Sequence, residues 1–264
     1  YFSFDGLIGT RQKRSIELFE GKSQFSFDDT LKFVMDDFGY GTDKWGPQIL
    51  KYSETNPELV DKDDVDLKKF IQTLSKFDGY FSAASKGALY LALVIERVFD
   101  KNQNLGENIF SSLSQNNKLT QDQQKILITY VLGAYKEVQT SLGGLDKTFG
   151  DIYRIGRGGV SEPSHGFSKE NLITLWSTSY SEPDENGFRW AWRGSRHPFL
   201  VQFTQPIKSY SLAVFGASDN INSPHFSDQS SGVVGEGLHT NYFEPSELEK
   251  ETISKKTHYT KKEN

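Results

Sequence analysis

The residues best placed to do chemistry lie between Phe215 and Gln229. There Asn220, Asn222, Ser223, Pro224, His225, Asp228 and Gln229 fall within ten positions. So many side-chain hydrogen-bonding groups exceed what a plain connecting turn uses. His225 has Asp228 three residues on, a spacing from which a carboxylate can orient an imidazole as a general base. The same spacing also serves a rigid loop that satisfies its own backbone, and both readings stand at this level. A serine-protease-like triad is a poor fit. The other histidines, His165, His197, His239 and His258, are scattered, and no Gly-x-Ser-x-Gly elbow occurs.

Other candidate chemistries fall away on spacing. Asp61, Asp63 and Asp64 lack the glycine and terminal glutamate of a calcium-binding EF-hand loop. The Gly156-Arg157-Gly158-Gly159 run lacks the Lys-Ser/Thr of a phosphate loop. With no cysteine, the chain has no thiolate nucleophile, disulfide or Cys-ligated zinc. A net charge of -5 and a pI of about 5.6 argue against nucleic acid as a partner. No apolar run approaches the ~20 residues of a membrane span, and Tyr1 to Asp5 lacks the pattern of a signal peptide. The lysines Lys255, Lys256, Lys261 and Lys262 read as a solvated terminus. The chain opens at Tyr1 in what reads at once as interior sequence, which predicts a processed product or a fragment.

The elements that must position these residues change character along the chain. Ile16, Leu18 and Phe19 share one side of a helix predicted over Thr10 to Gly21, with Arg11 and Arg14 as its surface charges. Ser26-x-x-Asp29 forms a capping box ahead of Leu31, Val34, Met35 and Phe38. A helix over Trp45 to Tyr52 follows, then an apolar stripe of Val65, Leu67, Phe70, Ile71, Leu74 and Phe77. Ser82 to Val98 reads as a buried helix, Asp100 to Lys118 as a polar span interrupted by Ile109-Phe110. Thr120-x-x-Gln123 opens the clearest helix, which closes at Gly143-Gly144.

Beyond that point the period shortens to two. Phe149 to Ile155 predicts a strand entering a glycine turn, with Asp151 pairing Arg154 or Arg157. Leu172, Thr174 and Trp176 alternate with Ile173, Leu175 and Ser177. Asp184 to Gly187 predicts a hairpin turn, and Phe188, Trp190 and Trp192 share a face opposite Arg189 and Arg193. We expect that aromatic face to be buried under helices, and the strands to run on through Phe199–Phe203 and Tyr210–Phe215 as an antiparallel meander. A strand-to-helix exit is expected between Gly235 and Leu248. The fold class is therefore α+β: a helical region over 1–145, strands over 146–250 and a polar tail over 251–264.

Several of these stretches together carry a resemblance. Ser223-Pro224-His225-Phe226-Ser227-Asp228-Gln229 resembles the Ser-Pro-His-aromatic-x-Asp-Gln segment of the penicillin amidase family, N-terminal-nucleophile amide hydrolases, particularly its acyl-homoserine lactone and aculeacin acylase branch. Phe77-Asp78-Gly79-Tyr80, with Ser82, Ser85 and Gly87 to Tyr90, is similar to the family's Trp-Asp-Gly block, Phe replacing Trp. Phe149-Gly150-Asp151-Ile152-Tyr153-Arg154-Ile155-Gly156-Arg157-Gly158 is similar to its Trp-Gly-Asp/Glu-x-His/Tyr-Arg-x-x-Arg-Gly block. The blocks follow the family's order from Arg11 to about Lys250.

The resemblance implies membership in an αββα architecture whose sheet this chain helps to complete. It implies an N-terminal Ser, Thr or Cys nucleophile, its own α-amine as base, and an oxyanion hole of a backbone amide and an Asn side chain. The nucleophile and that asparagine would precede Tyr1, so the upstream remainder of one precursor is the implied partner and a small acyl amide the implied substrate. By the same resemblance Arg11 matches the family's active-site arginine, with Arg14 one helical turn away as the alternative. Periplasmic or secreted location and calcium in the full enzyme are also implied, although no calcium ligands are identifiable here. The rival from another class is a non-enzymatic module gripping a sugar or peptide with the hairpin around Trp190 and Trp192, which needs those rings exposed, whereas the acylase reading needs them mostly buried. A helical adaptor using Asp61 to Phe77 is a third reading.

Overall fold

The computed structural model describes residues 8–234 and 237–251. The opening Tyr1 to Asp5, the terminal lysines and the 252–264 stretch lie outside the described residues. The first half is helical. Helix α1 (Thr10–Phe19) ends two residues before Gly21, whose φ of +74° turns the chain away. Helix α2 (Phe27–Val34) starts on the expected capping box: Ser26 Oγ accepts from the Asp29 amide, and the Asp29 carboxylate accepts from the Ser26 amide. Helix α3 (Trp45–Thr55) and helix α4 (Val65–Ser75) pack tightly enough that Gly46 has no room for a Cβ, which would lie 2.0 Å from the Leu74 carbonyl oxygen.

Helix α5 (Lys86–Lys101) is the centre of the helical layer. Its residues from Gly87 to Ile95, and then Val98 and Phe99, are buried on all sides, as a helix that is apolar all round must be. It begins at Lys86 rather than Ser82, because Ser85 is the residue whose hydroxyl caps the Ala88 amide. The expected polar span over 100–118 is instead helix α6 (Gln103–Ser114). Asn102 caps it through the Leu105 amide, and Gly106, Ile109, Phe110 and Leu113 recur at helical spacing and are buried. Four buried positions among many polar ones suffice when the neighbouring helix supplies the rest of the core. Helix α7 (Gln121–Thr140) has the expected Thr120/Gln123 box.

Phe149–Ile152 is a single helical turn, α8, before strand β1 (Tyr153–Ile155). Asp151 caps that turn through the Thr148 amide at 2.9 Å, whereas Arg154 donates to the Gly150 carbonyl and to Ser161. The expected pairing of Asp151 with an arginine gives way to these nearer backbone partners. Phe149 stacks on Tyr153 and, with Phe81, Phe167 and Leu172, extends the helical core into the strand region.

The strands do not form one meander. Strands β2 (Glu162–Pro163), β1, β6 (Arg189–Gly194) and β5 (Thr178–Tyr180) make a four-stranded sheet in that order, and β1 runs parallel to β6. Strands β3 (Ser168–Lys169) and β4 (Leu172–Ile173) pair alone. Strands β7 (Phe199–Gln202), β8 (Lys208–Ser211) and β9 (His239–Asn241) form a third, antiparallel sheet. Helix α9 (Pro245–Glu251) follows, as the exit pattern predicts. The Asp184–Gly187 turn joins β5 to β6 with Gly187 at φ +80°.

The face of β6 that turns inward is the opposite of the one expected. Arg189 and Ala191 are buried, Trp190 is half-buried with its Nε1 donating to Asp184, and Trp192 is 62% exposed. Hydropathy alone assigns the tryptophans to the core; half-buried carboxylates on α5 and α7 reverse the choice by neutralising Arg189.

Candidate functional site

The Phe215–Gln229 loop is folded on itself and bolted to the glycine turn after β1. Within the loop, the Ser218 amide donates to the His225 carbonyl, Ser223 Oγ accepts from the His225 amide, and Asn220 Oδ1 accepts from the Asn222 amide. Gln229 Oε1 accepts from the Ala213 amide at 2.9 Å, fastening the loop's end to its beginning. Gly216 is required by close approach, since a Cβ there would lie 2.3 Å from the His225 carbonyl oxygen.

Arg157 makes the joint. Its Nε donates to the Phe226 carbonyl and its Nη2 to the Ser218 carbonyl, both at 2.8 Å. The guanidinium lies 4.1 Å from the Phe226 ring centroid and 5.3 Å from that of Phe215. Ser227 Oγ returns a bond to the Arg157 carbonyl. Thus two blocks about 70 residues apart in sequence form one unit. His225 Nδ1 sits 2.8 Å from Asp228 Oδ2, but both side chains face solvent at 65% and 38% exposure. Among the described residues no Ser, Thr or Lys is hydrogen-bonded to the His225 ring, whose partner is Asp228.

The two candidate arginines of α1 have separate fates. Arg14 is buried and grips Asp36 with Nε and Nη2, the latter at 2.7 Å, while its guanidinium lies 4.3 Å from the Phe38 ring centroid. Burial works against the Arg14 cation, but the Asp36 and Glu17 hydrogen bonds outweigh it and hold its pKa above the usual arginine value. Arg11 is exposed and gives one Nη2 proton to the Leu175 carbonyl. It borders an open cleft of about 600 Å³ with Ser168, Lys169, Tyr180, Trp192 and Arg193.

Two buried ionic clusters went unread in the sequence. Asp37 next to Asp36 lies 3.1 Å from His165 Nδ1, and the His165 ring stacks on Trp176. Farther in, Arg189 Nε donates to Glu96 at 3.1 Å and its Nη2 to Glu137 at 2.8 Å. Arg97 also donates to Glu137, and the Tyr153 hydroxyl donates to Glu96 at 2.8 Å. Burial pushes the Glu96 carboxyl upward against the pull of Arg189, and burial with the Glu96 charge holds the Tyr153 phenol well above its ordinary value. The signal was a Glu-Arg dipeptide, Glu96-Arg97, inside the apolar run of α5.

No three Asp, Glu or His side chains converge on a metal-sized space among the described residues. The acidic run has other work: Asp61 Oδ1 accepts from the Asp63 amide, and Asp64 caps the Leu67 amide and accepts from the Tyr135 hydroxyl. Among the described residues no helix is long and apolar enough to cross a membrane.

Among solved structures, a thermostable penicillin G acylase from Alcaligenes faecalis in an orthorhombic form aligns with 99% of this chain at 11% identity and a TM-score of 0.49. The alignment covers 54% of the acylase chain, so this chain spans about half its length. A family model described as Penicillin amidase matches residues 1–250, nearly the whole sequence and both blocks that Arg157 joins. This chain belongs to the penicillin amidase family.

Proposed function

We propose that the chain is the rear portion of an N-terminal-nucleophile acylase that hydrolyses the amide bond of N-acyl compounds, of the penicillin, acyl-homoserine lactone or acylated lipopeptide type. The observation that carries this reading is the Arg157 joint, which locks the Arg-Gly block to the Ser-Pro-His block. On this reading the chain is scaffold, part of an αββα core in the periplasm or outside the cell, and its ionic clusters hold helices against strands. The nucleophile, its α-amine base and the oxyanion asparagine are supplied by the upstream remainder of the same precursor. Arg11 fits the auxiliary active-site arginine better than Arg14, because its guanidinium is exposed at a cleft whereas Arg14 is consumed by Asp36.

The test is hydrolysis of N-phenylacetyl and N-fatty-acyl amides, followed by amine release. The full-length protein should turn over one class, and residues 1–264 alone should turn over neither. Turnover by 1–264 alone overturns the placement of the nucleophile; a silent, correctly processed full-length protein overturns the amidase reading.

A further inference from the structure

The turn that joins β5 to β6 carries the one Asn-Gly step of the sequence, Asn186-Gly187. Every other internal asparagine is followed by a residue with a side chain, which crowds the backbone nitrogen after it. Gly187 has no Cβ and leaves its nitrogen open to approach. Asn186 is exposed, and its side-chain amide makes no hydrogen bond among the described residues. Closure of that amide's Cγ onto the Gly187 nitrogen makes a five-membered ring, so the turn holds both halves of an intramolecular reaction.

Asp184 is the clamp that orders this turn. Its Oδ1 accepts from the Asn186 amide at 2.8 Å and the Phe188 amide at 3.0 Å, and its Oδ2 accepts from Trp190 Nε1 at 2.8 Å. Its carbonyl accepts from the Gly187 amide at 3.0 Å, and its own amide donates to the Phe188 carbonyl at 2.9 Å. The bond from Gly187 N–H pins the reacting nitrogen, so closure waits on local opening of an exposed turn. The spacing of the turn is also fixed from the far side. Arg189, two residues beyond Gly187, must reach Glu96 and Glu137.

We propose that Asn186 is a spontaneous deamidation site and that its isoaspartyl product undoes the Asp184 clamp. The Gly187 nitrogen, having given its proton to hydroxide, attacks Asn186 Cγ. The new N–Cγ bond displaces Nδ2, which takes a proton from water and leaves as ammonia. Water then opens the cyclic imide, at Cγ to give aspartate or at the main-chain carbonyl to give isoaspartate. One water enters, one ammonia departs, and nothing is oxidised or reduced. Isoaspartate places Cβ in the main chain between residues 186 and 187, which moves the Gly187 and Phe188 amides off Asp184. Either product adds a carboxylate to a turn that already holds Glu182, Asp184 and Glu185. The chemistry needs only water, so it stands or falls separately from the amidase reading.

The test is incubation of the full-length protein at about pH 7 and about pH 8, followed by peptide mapping with an isoaspartate assay. The peptide holding Asn186 should gain about 1 Da and isoaspartate sooner than any other asparagine peptide. Its rate should rise about tenfold per pH unit, with the deprotonated fraction of the Gly187 amide, and rise again in urea. Asn186→Gln should abolish the gain at this position and keep the clamp, which uses the backbone amide of residue 186. Asn186→Asp supplies the charge without the extra main-chain atom, so amide exchange over 186–190 should stay slow. In the purified isoaspartyl form that exchange should be at least about tenfold faster. Three results would overturn the assignment: no gain at Asn186 in the folded protein while the urea-unfolded protein converts, faster conversion of another asparagine, or unchanged exchange over 186–190 in the isoaspartyl form.

Discussion

Arg189→Met puts the inverted face of β6 under direct test. The substitution keeps the length of the side chain and removes the cation that sits 3.1 Å from Glu96 and 2.8 Å from Glu137. The Arg189 side chain is 6% exposed and the two carboxylates 18% and 16%, so water cannot readily take its place. Breaking a buried pair by removing one partner costs ~3–5 kcal/mol. Glu137 keeps Arg97 and Glu96 keeps the Tyr153 hydroxyl, which places the loss toward the lower end, ~3 kcal/mol. Acidity supplies a second signature. Burial already raises the Glu96 carboxyl above its ordinary value of 4.5, and loss of Arg189 removes the largest opposing influence. A carboxyl whose folded pKa is raised holds more protons folded than unfolded, so between those two values stability falls as pH rises. The deficit of the variant should therefore be largest where the Glu96 carboxyl is ionised and narrow as pH falls toward the ordinary carboxyl range, by up to ~1.4 kcal/mol per pH unit for one proton. Urea unfolding followed by circular dichroism measures both quantities. A companion Arg189→Met/Glu96→Gln variant should recover part of the loss at the alkaline end and show a weaker pH dependence. A deficit under ~1 kcal/mol at both ends of that range would refute the claim that this pair is desolvated and interdependent.

Arg157→Met should cost ~2–4 kcal/mol through two charge-assisted hydrogen bonds and the ring contacts. It should speed amide exchange across residues 216–229 while helices α5 and α7 stay protected; uniform protection would refute the joint. His225→Ala, by contrast, removes an exposed pair worth ~0–1 kcal/mol. In the full-length enzyme it should lower stability or maturation slightly and leave turnover largely intact; abolished chemistry in an undamaged fold would make His225 catalytic.

Helix positions were legible where a local device wrote them. The boxes at Ser26/Asp29 and Thr120/Gln123 and the stripe from Leu67 to Leu74 are satisfied within a few residues, so the sequence carries their full physical reason. Helix α6 was not legible, because its four buried residues gain a core only from neighbouring helices. The facing of β6 was misread for the same cause on a longer scale. Glu96 and Glu137, roughly 90 and 50 residues away, decide that an arginine rather than a tryptophan points inward. At the site, the Ser-Pro-His block announced itself by density of polar groups and by family likeness. Its anchoring to Arg157 could not be read, since the partners are backbone carbonyls that any residue possesses.

The way α1 is attached has its own consequence. Ile16 and Phe19 stay about half exposed, and Phe19 touches Phe25 and Phe33 in a small satellite group rather than either main core. Its moorings to the body are Thr10 on the Asn171 and Ile173 backbone, Arg11 on Leu175, and Arg14 on Asp36. Directional bonds tie the helix at a few points, and the buried Arg14–Asp36 pair is shielded from salt, whereas the apolar contacts around α5 spread over many residues. The helix is thus fixed at a few discrete points while the interior is held by a continuous apolar surface, so loss of the Arg14–Asp36 pair alone would release the helix without opening the core.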